Sequence, residues 1–158
     1  MEHTSGVVPV SRDVDAPVQA VWDVLADGWS YATWVVGASR VRDVDLGWPA
    51  VGARIHHSFG LWPMLVDDTT EVLRSSEPGE LVLRARGWPA GEAEVVLTVS
   101  SRGVETCSVS IEEDATSGPG TLIPRPARQL AIGSRNVETL KRLAYLAEGR
   151  HRDRAASH

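Results

Sequence analysis

Cysteine, phenylalanine and tyrosine are nearly missing from this chain, which has one, one and two of them. A lone thiol, Cys107, rules out an internal disulfide and any metal site built from several cysteines. With so few other rings, most aromatic surface falls to six tryptophans. Positive charge is not in excess either: 16 Lys and Arg against 21 Asp and Glu give −5 at pH 7. That balance argues against a general nucleic-acid binder, which carries a basic face. No apolar run approaches the roughly 18 residues of a membrane span. Residues 1–5 are polar and lack the apolar centre of a secretion signal. Gly-x-Ser-x-Gly, phosphate-loop and dinucleotide fingerprints are also missing. The expectation is a cytoplasmic protein with no metal, no cofactor, no nucleic-acid partner and no membrane span.

What remains is an ordinary globular composition, 42% hydrophobic and 23% charged over 158 residues. It suffices for one domain with a sizeable core. Residues 1–6 read as an N-terminal tail, 7–149 as the domain and 150–158 as a flexible basic tail.

Residues 7–15 read as a strand, with Val8, Val10, Arg12 and Val14 on one face. Asp15-Ala16-Pro17 opens a helix, because proline fits a first turn whose N–H groups have no intrahelical acceptor. Val18, Val21, Trp22 and Leu25 follow at helical spacing, Gly28 ends the helix, and 29–34 gives a second, shorter one. Six strands then run over 35–46, 52–59, 64–75, 80–86, 92–101 and 104–114, each closed by turn residues. Alternation is clearest at the end, where Ala93, Val95, Leu97 and Val99, then Cys107, Val109 and Ile111, share a face. Short connections and one apolar face describe an antiparallel meander.

Between Pro126 and Glu148, apolar or small residues recur at Leu130, Gly133, Val137, Leu140, Ala144 and Ala147. Steps of three and four keep one stripe on a single helical face, which Ile132 and Leu143 widen. Pro126 suits the first turn and Gly149 a C-terminal cap. The sheet face and this long helix must cover each other. The fold class is therefore α+β: about seven antiparallel strands curved around a long C-terminal helix, with two short helices between strands one and two.

This order of elements resembles the START-like, pollen-allergen-like helix-grip superfamily, also called SRPBCC or polyketide cyclase/dehydrase. The matching residues are Asp15-Ala16-Pro17 with Val21-Trp22, Trp34, Val51-Gly52, and Arg135-Asn136 with Leu140 and Leu143. The resemblance spans about 7–148. It implies a helix-grip fold, while activity varies among members that include lipid carriers, hormone receptors and aromatases.

Hairpin turns of a meander alternate between the two ends of its sheet. Trp62-Pro63, Trp88-Pro89 and the 115–126 loop therefore share one end, with Trp34 nearby, and Trp48-Pro49 lies at the other. Proline pushes the preceding residue toward extended backbone, so each indole is held at a hairpin tip. Trp62 and Trp88 either cap the core or overhang a cavity as its rim with Trp34; Trp48 is the structural control. By alternation, Ile55, His57, Phe59, Leu81, Leu83, Ala85, Val95 and Leu97 point inward. The expected ligand-binding set is Trp34, His57, Phe59, Trp62 and Met64, then Trp88, Val95 and Leu97, then Leu130, Gly133 and Val137 on the helix.

His56 and His57 are adjacent on a strand and face opposite sides, so they cannot hold one ion together. His57 alone is a candidate acid or base, or a hydrogen-bonded structural residue. Asp67, Asp68 and Glu71 could do acid–base work if buried, but fit a solvated face equally. Arg84 and Arg86 read as outer-face residues, Arg125 and Arg128 as mouth or helix-start cations, and Cys107 as core.

Two functional readings follow. The first is binding of a small hydrophobic or amphipathic ligand, such as a lipid, sterol or polyketide-like molecule, between sheet and helix. The second is a polyketide cyclase/aromatase-like enzyme that uses the same cavity, with His57 or a carboxylate as acid or base. A filled interaction module is a third class. A monomer or a homodimer fits each reading.

Overall fold

Seven strands and the helices between them follow the expected order. A computed structural model describes residues 7–59, 63, 66–87 and 91–157. Strand β1 (Val10–Val14) leads into α1 (Val18–Ala26), a 3-10 turn at Gly28–Ser30 and the short α2 (Tyr31–Trp34). The meander follows as β2 (Ala38–Val44), β3 (Arg54–Phe59), β4 (Val66–Ser76), β5 (Glu80–Gly87), β6 (Gly91–Ser101) and β7 (Cys107–Ser117). A 3-10 turn at Pro119–Leu122 then precedes α3 (Arg125–Ala156).

All neighbours pair antiparallel in the order β1-β7-β6-β5-β4-β3-β2. Register shifts leave an extra residue in β2, β4 and β7, irregularities of the kind that bend and twist a strand, which curves the sheet around the helix. Where β6 meets β7, Gly91 has φ +104, and a Cβ there would lie 2.1 Å from the Ser117 carbonyl oxygen. Only glycine permits that approach.

Alternation along the strands places Ile55, Leu81, Leu83, Val95, Leu97, Val109 and Ile111 in the core. From the helices come Val21, Trp22 and Leu25 of α1 and Leu140, Leu143, Ala144 and Ala147 of α3. Burying a leucine side chain contributes about 1.5–3 kcal/mol, so the second half of α3 anchors the grip. Trp48 behaves as the structural control: its indole N–H donates to the Leu25 carbonyl at 3.0 Å, and it packs on the core.

Two expectations about α3 need correction. Gly149 does not end the helix, which continues to Ala156. Residues 150–156 are thus helical rather than a loose tail, and Arg150 reaches Asp27 at 3.0 Å, His151 reaches Glu105 at 2.6 Å and Arg154 reaches Asp23 at 2.9 Å. The lost backbone freedom of an interior glycine costs roughly 1 kcal/mol relative to alanine, too little to break a long helix. The inward stripe is also rotated: Gln129, Asn136, Thr139, Leu140, Leu143, Ala144 and Ala147 are buried. Leu130 and Val137 are 77% and 55% exposed. The first half of the helix turns polar side chains inward, so an apolar stripe misidentifies its inner face.

Candidate functional site

Those polar positions meet the sheet around a small hollow. A cavity of about 50 Å³ is bounded by Tyr31 and Trp34 of α2, Val35, and His57 of β3. Leu83, Ala85, Val95, Leu97, Ile111 and Glu113 of the sheet and Arg135, Asn136 and Thr139 of α3 complete its wall. This inner chamber adjoins a vestibule of about 200 Å³ at the end of the sheet where β6 begins and β7 finishes. The vestibule is lined by Gly91, Glu92, Ala93, Ala115, Gly120, Ile123, Arg128 and Ile132. Ala85, Glu113 and Arg135 belong to both walls. Between them stands an ion pair from Arg135 to Glu113, and the glutamate side chain is only 9% exposed.

The floor of the chamber is a buried polar chain. Alternation on β3 turns His57 inward, and it is 1% exposed. Its Nε2 lies 2.9 Å from Thr70 Oγ1 on β4, and the Tyr31 hydroxyl lies 3.0 Å from the same oxygen. The Tyr31 and His57 rings stack at 5.4 Å, while Trp34 meets Tyr31 edge-on at 5.6 Å. Burial pushes the Tyr31 phenol up to about 12 and holds the His57 imidazole below its usual value. Both rings are therefore neutral near pH 7. His57 Nδ1 and Trp34 Nε1 are buried without a hydrogen-bond partner among the described residues.

Around the vestibule the charges are paired. Arg128 grips Asp114 through two bonds, 2.6 Å from Nε and 3.1 Å from Nη2, which holds the Asp114 carboxyl below the usual range. Gln129 donates to the Glu113 carbonyl at 2.9 Å and accepts from the Val8 N–H at 3.0 Å, tying α3 to β7 and to the segment just ahead of β1.

Of the expected ligand-binding residues, His57, Val95 and Leu97 line the chamber, as alternation requires. Trp34 lines it too, but as an inner wall 3% exposed rather than as a rim. Leu130, Gly133 and Val137 do not line it. They floor a separate outer groove of about 640 Å³ with Val10 of β1 and Val8 just ahead of it. Trp62, Met64 and Trp88 lie outside the described residues, as does the side chain of Phe59. His56 faces away from the chamber and bonds Asp45 at 3.1 Å. Asp67, Asp68, Arg84 and Arg86 take no part in the chamber wall. Asp67 takes a bond from Ser58 at 2.9 Å on the outer side. Cys107 is fully buried core.

Sequence reasoning missed Tyr31, Thr70, Glu113, Arg135, Asn136 and Thr139 as wall or floor residues. The signal for Glu113 was present: the alternation Cys107, Val109, Ile111 reaches it next. The helix residues were hidden because they are polar. Among the described residues, no group of three or more His, Cys, Asp or Glu side chains is placed to hold a metal ion. No described helix is long and apolar enough to cross a membrane.

Solved structures share this architecture at low sequence identity, which establishes the fold alone. A Nitrosomonas europaea protein matches with a TM-score of 0.67 at 14% identity, over 95% of this chain and 99% of its own. DynU16, from the dynemicin biosynthetic locus, matches at 0.62 and 20% identity over 91% of this chain. The di-domain ARO/CYC BexL of the BE-7585A biosynthetic pathway matches at 0.62 and 12% identity over 92% of it. The chain spans about half of each of these two, 48% and 50%. No curated protein sequence matches it. The profile of the polyketide cyclase/dehydrase and lipid transport family matches residues 6–148, and the chain belongs to that family.

Proposed function

We propose that this domain binds a small amphipathic molecule whose polar end enters the inner chamber and whose apolar body occupies the vestibule. The observation that carries this reading is the pairing of apolar walls with unpartnered polar atoms at the buried end. Leu83, Val95, Leu97 and Ile111 offer apolar surface, while His57 Nδ1 and Trp34 Nε1 lack partners among the described residues. Removing apolar ligand surface from water contributes about 25 cal/mol per Å², and a few polar groups then fix orientation. A drug-sized ligand needs roughly 300–1,000 Å³. The chamber alone is too small, so a ligand of that size must reach across the Arg135–Glu113 neck. Membership of a family described by polyketide cyclisation and lipid transport supports a ligand of this kind. Titration of tryptophan fluorescence with fatty acids, sterols and aromatic polyketides tests it. Saturable change is expected with one class, weakened by Leu97→Trp, which fills the chamber. No saturable response to any class contradicts the reading.

A second reading is favoured by the Tyr31–Thr70–His57 chain, which places a neutral imidazole at the chamber wall. In a cyclase-like enzyme the cavity would hold a flexible chain in a reactive fold, so proximity would supply much of the rate. His57 would then move a proton. The di-domain ARO/CYC BexL among the structural neighbours gives this reading its context. A His57→Ala variant that still binds a polyketide mimic but no longer converts it supports catalysis; unchanged conversion removes His57 from that role.

A further inference from the structure

The polarity of the chamber follows from counting protons along its floor. Tyr31 keeps its hydroxyl proton, because burial leaves the phenol neutral, and among the described residues the only acceptor for that hydroxyl is Thr70 Oγ1 at 3.0 Å. The Thr70 hydroxyl has a single proton, and its other neighbour is His57 Nε2 at 2.9 Å. If Tyr31 donates to Thr70 and Thr70 donates to His57 Nε2, both contacts are complete and the imidazole carries its proton on Nδ1. If the imidazole proton sits instead on Nε2, Thr70 must accept it. Then either the Tyr31 or the Thr70 proton is left without an acceptor, and Nδ1 is left without a donor. A buried group without its partner is penalised, so the first arrangement prevails. Its one unmatched atom at His57 is an N–H donor. The second unmatched atom in the chamber wall, Trp34 Nε1, can only donate.

We infer that Thr70 fixes the His57 tautomer so that His57 and Trp34 face the chamber as two N–H donors, and that the chamber selects a ligand end that only needs to accept, such as a carbonyl oxygen. This inference rests on the ligand-binding reading above and adds the chemistry of the buried end. Asn136, which carries both an amide donor and an acceptor, shares the wall and does not impose a sign of its own, and the Glu113 carboxylate and Arg135 guanidinium there are paired with each other. Thr70 is fully buried, so it acts as a positioning residue through His57.

Two measurements on the full chain test this. Nitrogen-15 chemical shifts of the His57 ring near pH 7.5 report the tautomer directly. The expected result is Nδ1 protonated and Nε2 bare in the wild type and in Thr70→Ser, with a shift toward Nε2–H in Thr70→Val. The second measurement compares acetophenone with its isostere α-methylstyrene and with 1-phenylethylamine, by NMR titration. Acetophenone is expected to bind about tenfold more tightly than α-methylstyrene, with 1-phenylethylamine weakest, and Thr70→Val should narrow the first ratio while Thr70→Ser preserves it. Equal saturable binding of ketone and alkene overturns the donor inference while leaving the cavity reading standing. Failure of all three probes to bind removes the cavity reading and this inference with it. A wild-type ring protonated on Nε2 overturns the inference whatever the probes do.

Discussion

Arg135 on α3 is ion-paired with Glu113 on β7 at the one place where chamber and vestibule share their walls. The glutamate side chain is 9% exposed and the arginine side chain 33%, so water reaches one partner and scarcely the other. Removing only the arginine leaves a buried carboxylate without its cation. Arg135→Met is expected to cost about 1–3 kcal/mol in denaturant unfolding. The double variant Glu113→Leu/Arg135→Met, which leaves no stranded charge, should recover most of that loss. If the pair is the neck of the cavity, the double variant should also admit ligand faster in stopped-flow fluorescence.

His57 should make stability depend on pH in a defined window. Burial lowers its folded pKa below the ordinary value of 6.5. The unfolded chain therefore binds the proton more readily, and stability rises with pH between the folded value and 6.5. The contribution is complete above that ordinary value and is lost as pH falls toward the folded pKa. Asp114 and Asp45 have lowered values, so their losses begin nearer 3.8 and fall in a different window. The difference in unfolding free energy between wild type and His57→Gln should shrink as pH drops below about 6.5. A constant difference across that range would contradict the assignment.

The two faces of α3 should respond very differently to truncation. Leu143 is fully buried, and Leu143→Ala is expected to cost about 2–5 kcal/mol. Leu130 is 77% exposed, and Leu130→Ala should stay within about 0.5 kcal/mol of wild type. Thermal or chemical unfolding of the two variants checks the helix rotation without any ligand.

Gly149 lies inside the helix, and a Cβ there would meet only Arg152 Nη2 at 3.9 Å, an ordinary contact. Gly149→Ala should therefore stabilise the protein by about 0.5–1 kcal/mol through reduced freedom of the unfolded chain. A destabilised variant would indicate that the helix stops near Gly149, as the sequence pattern alone suggests.

The fold was legible because each strand wrote its inward face in a two-residue rhythm. Val95 and Leu97, then Val109 and Ile111, sit where that rhythm puts them. His57 was legible for the same reason, since Ile55 fixes the phase of its strand. The helical wall of the site was not. A cavity wall needs groups that hydrogen-bond or pair, and α3 supplies Arg135, Asn136 and Thr139 there while leaving Leu130 and Val137 outside. Hydrophobic periodicity finds the face that is apolar, and in this helix the inward face changes character halfway along. Tyr31 and Thr70 meet only through tertiary contact, 39 positions apart, so no local pattern announces them.

On the proposed reading, a ligand's polar end enters between Tyr31, Trp34 and His57. Trp34 and Trp48 offer a direct comparison, since one indole N–H, in a residue of the chamber wall, has no partner among the described residues and the other already donates to Leu25. The deciding measurement is a nitrogen-15 NMR titration that follows the two indole N–H signals as acetophenone or a bound lipid or polyketide analogue is added. The expected result is a saturable shift of Trp34 with Trp48 unmoved. A stationary Trp34 signal, with the methyl groups of Leu130 and Val137 shifting instead, would place the ligand in the outer groove and contradict the account.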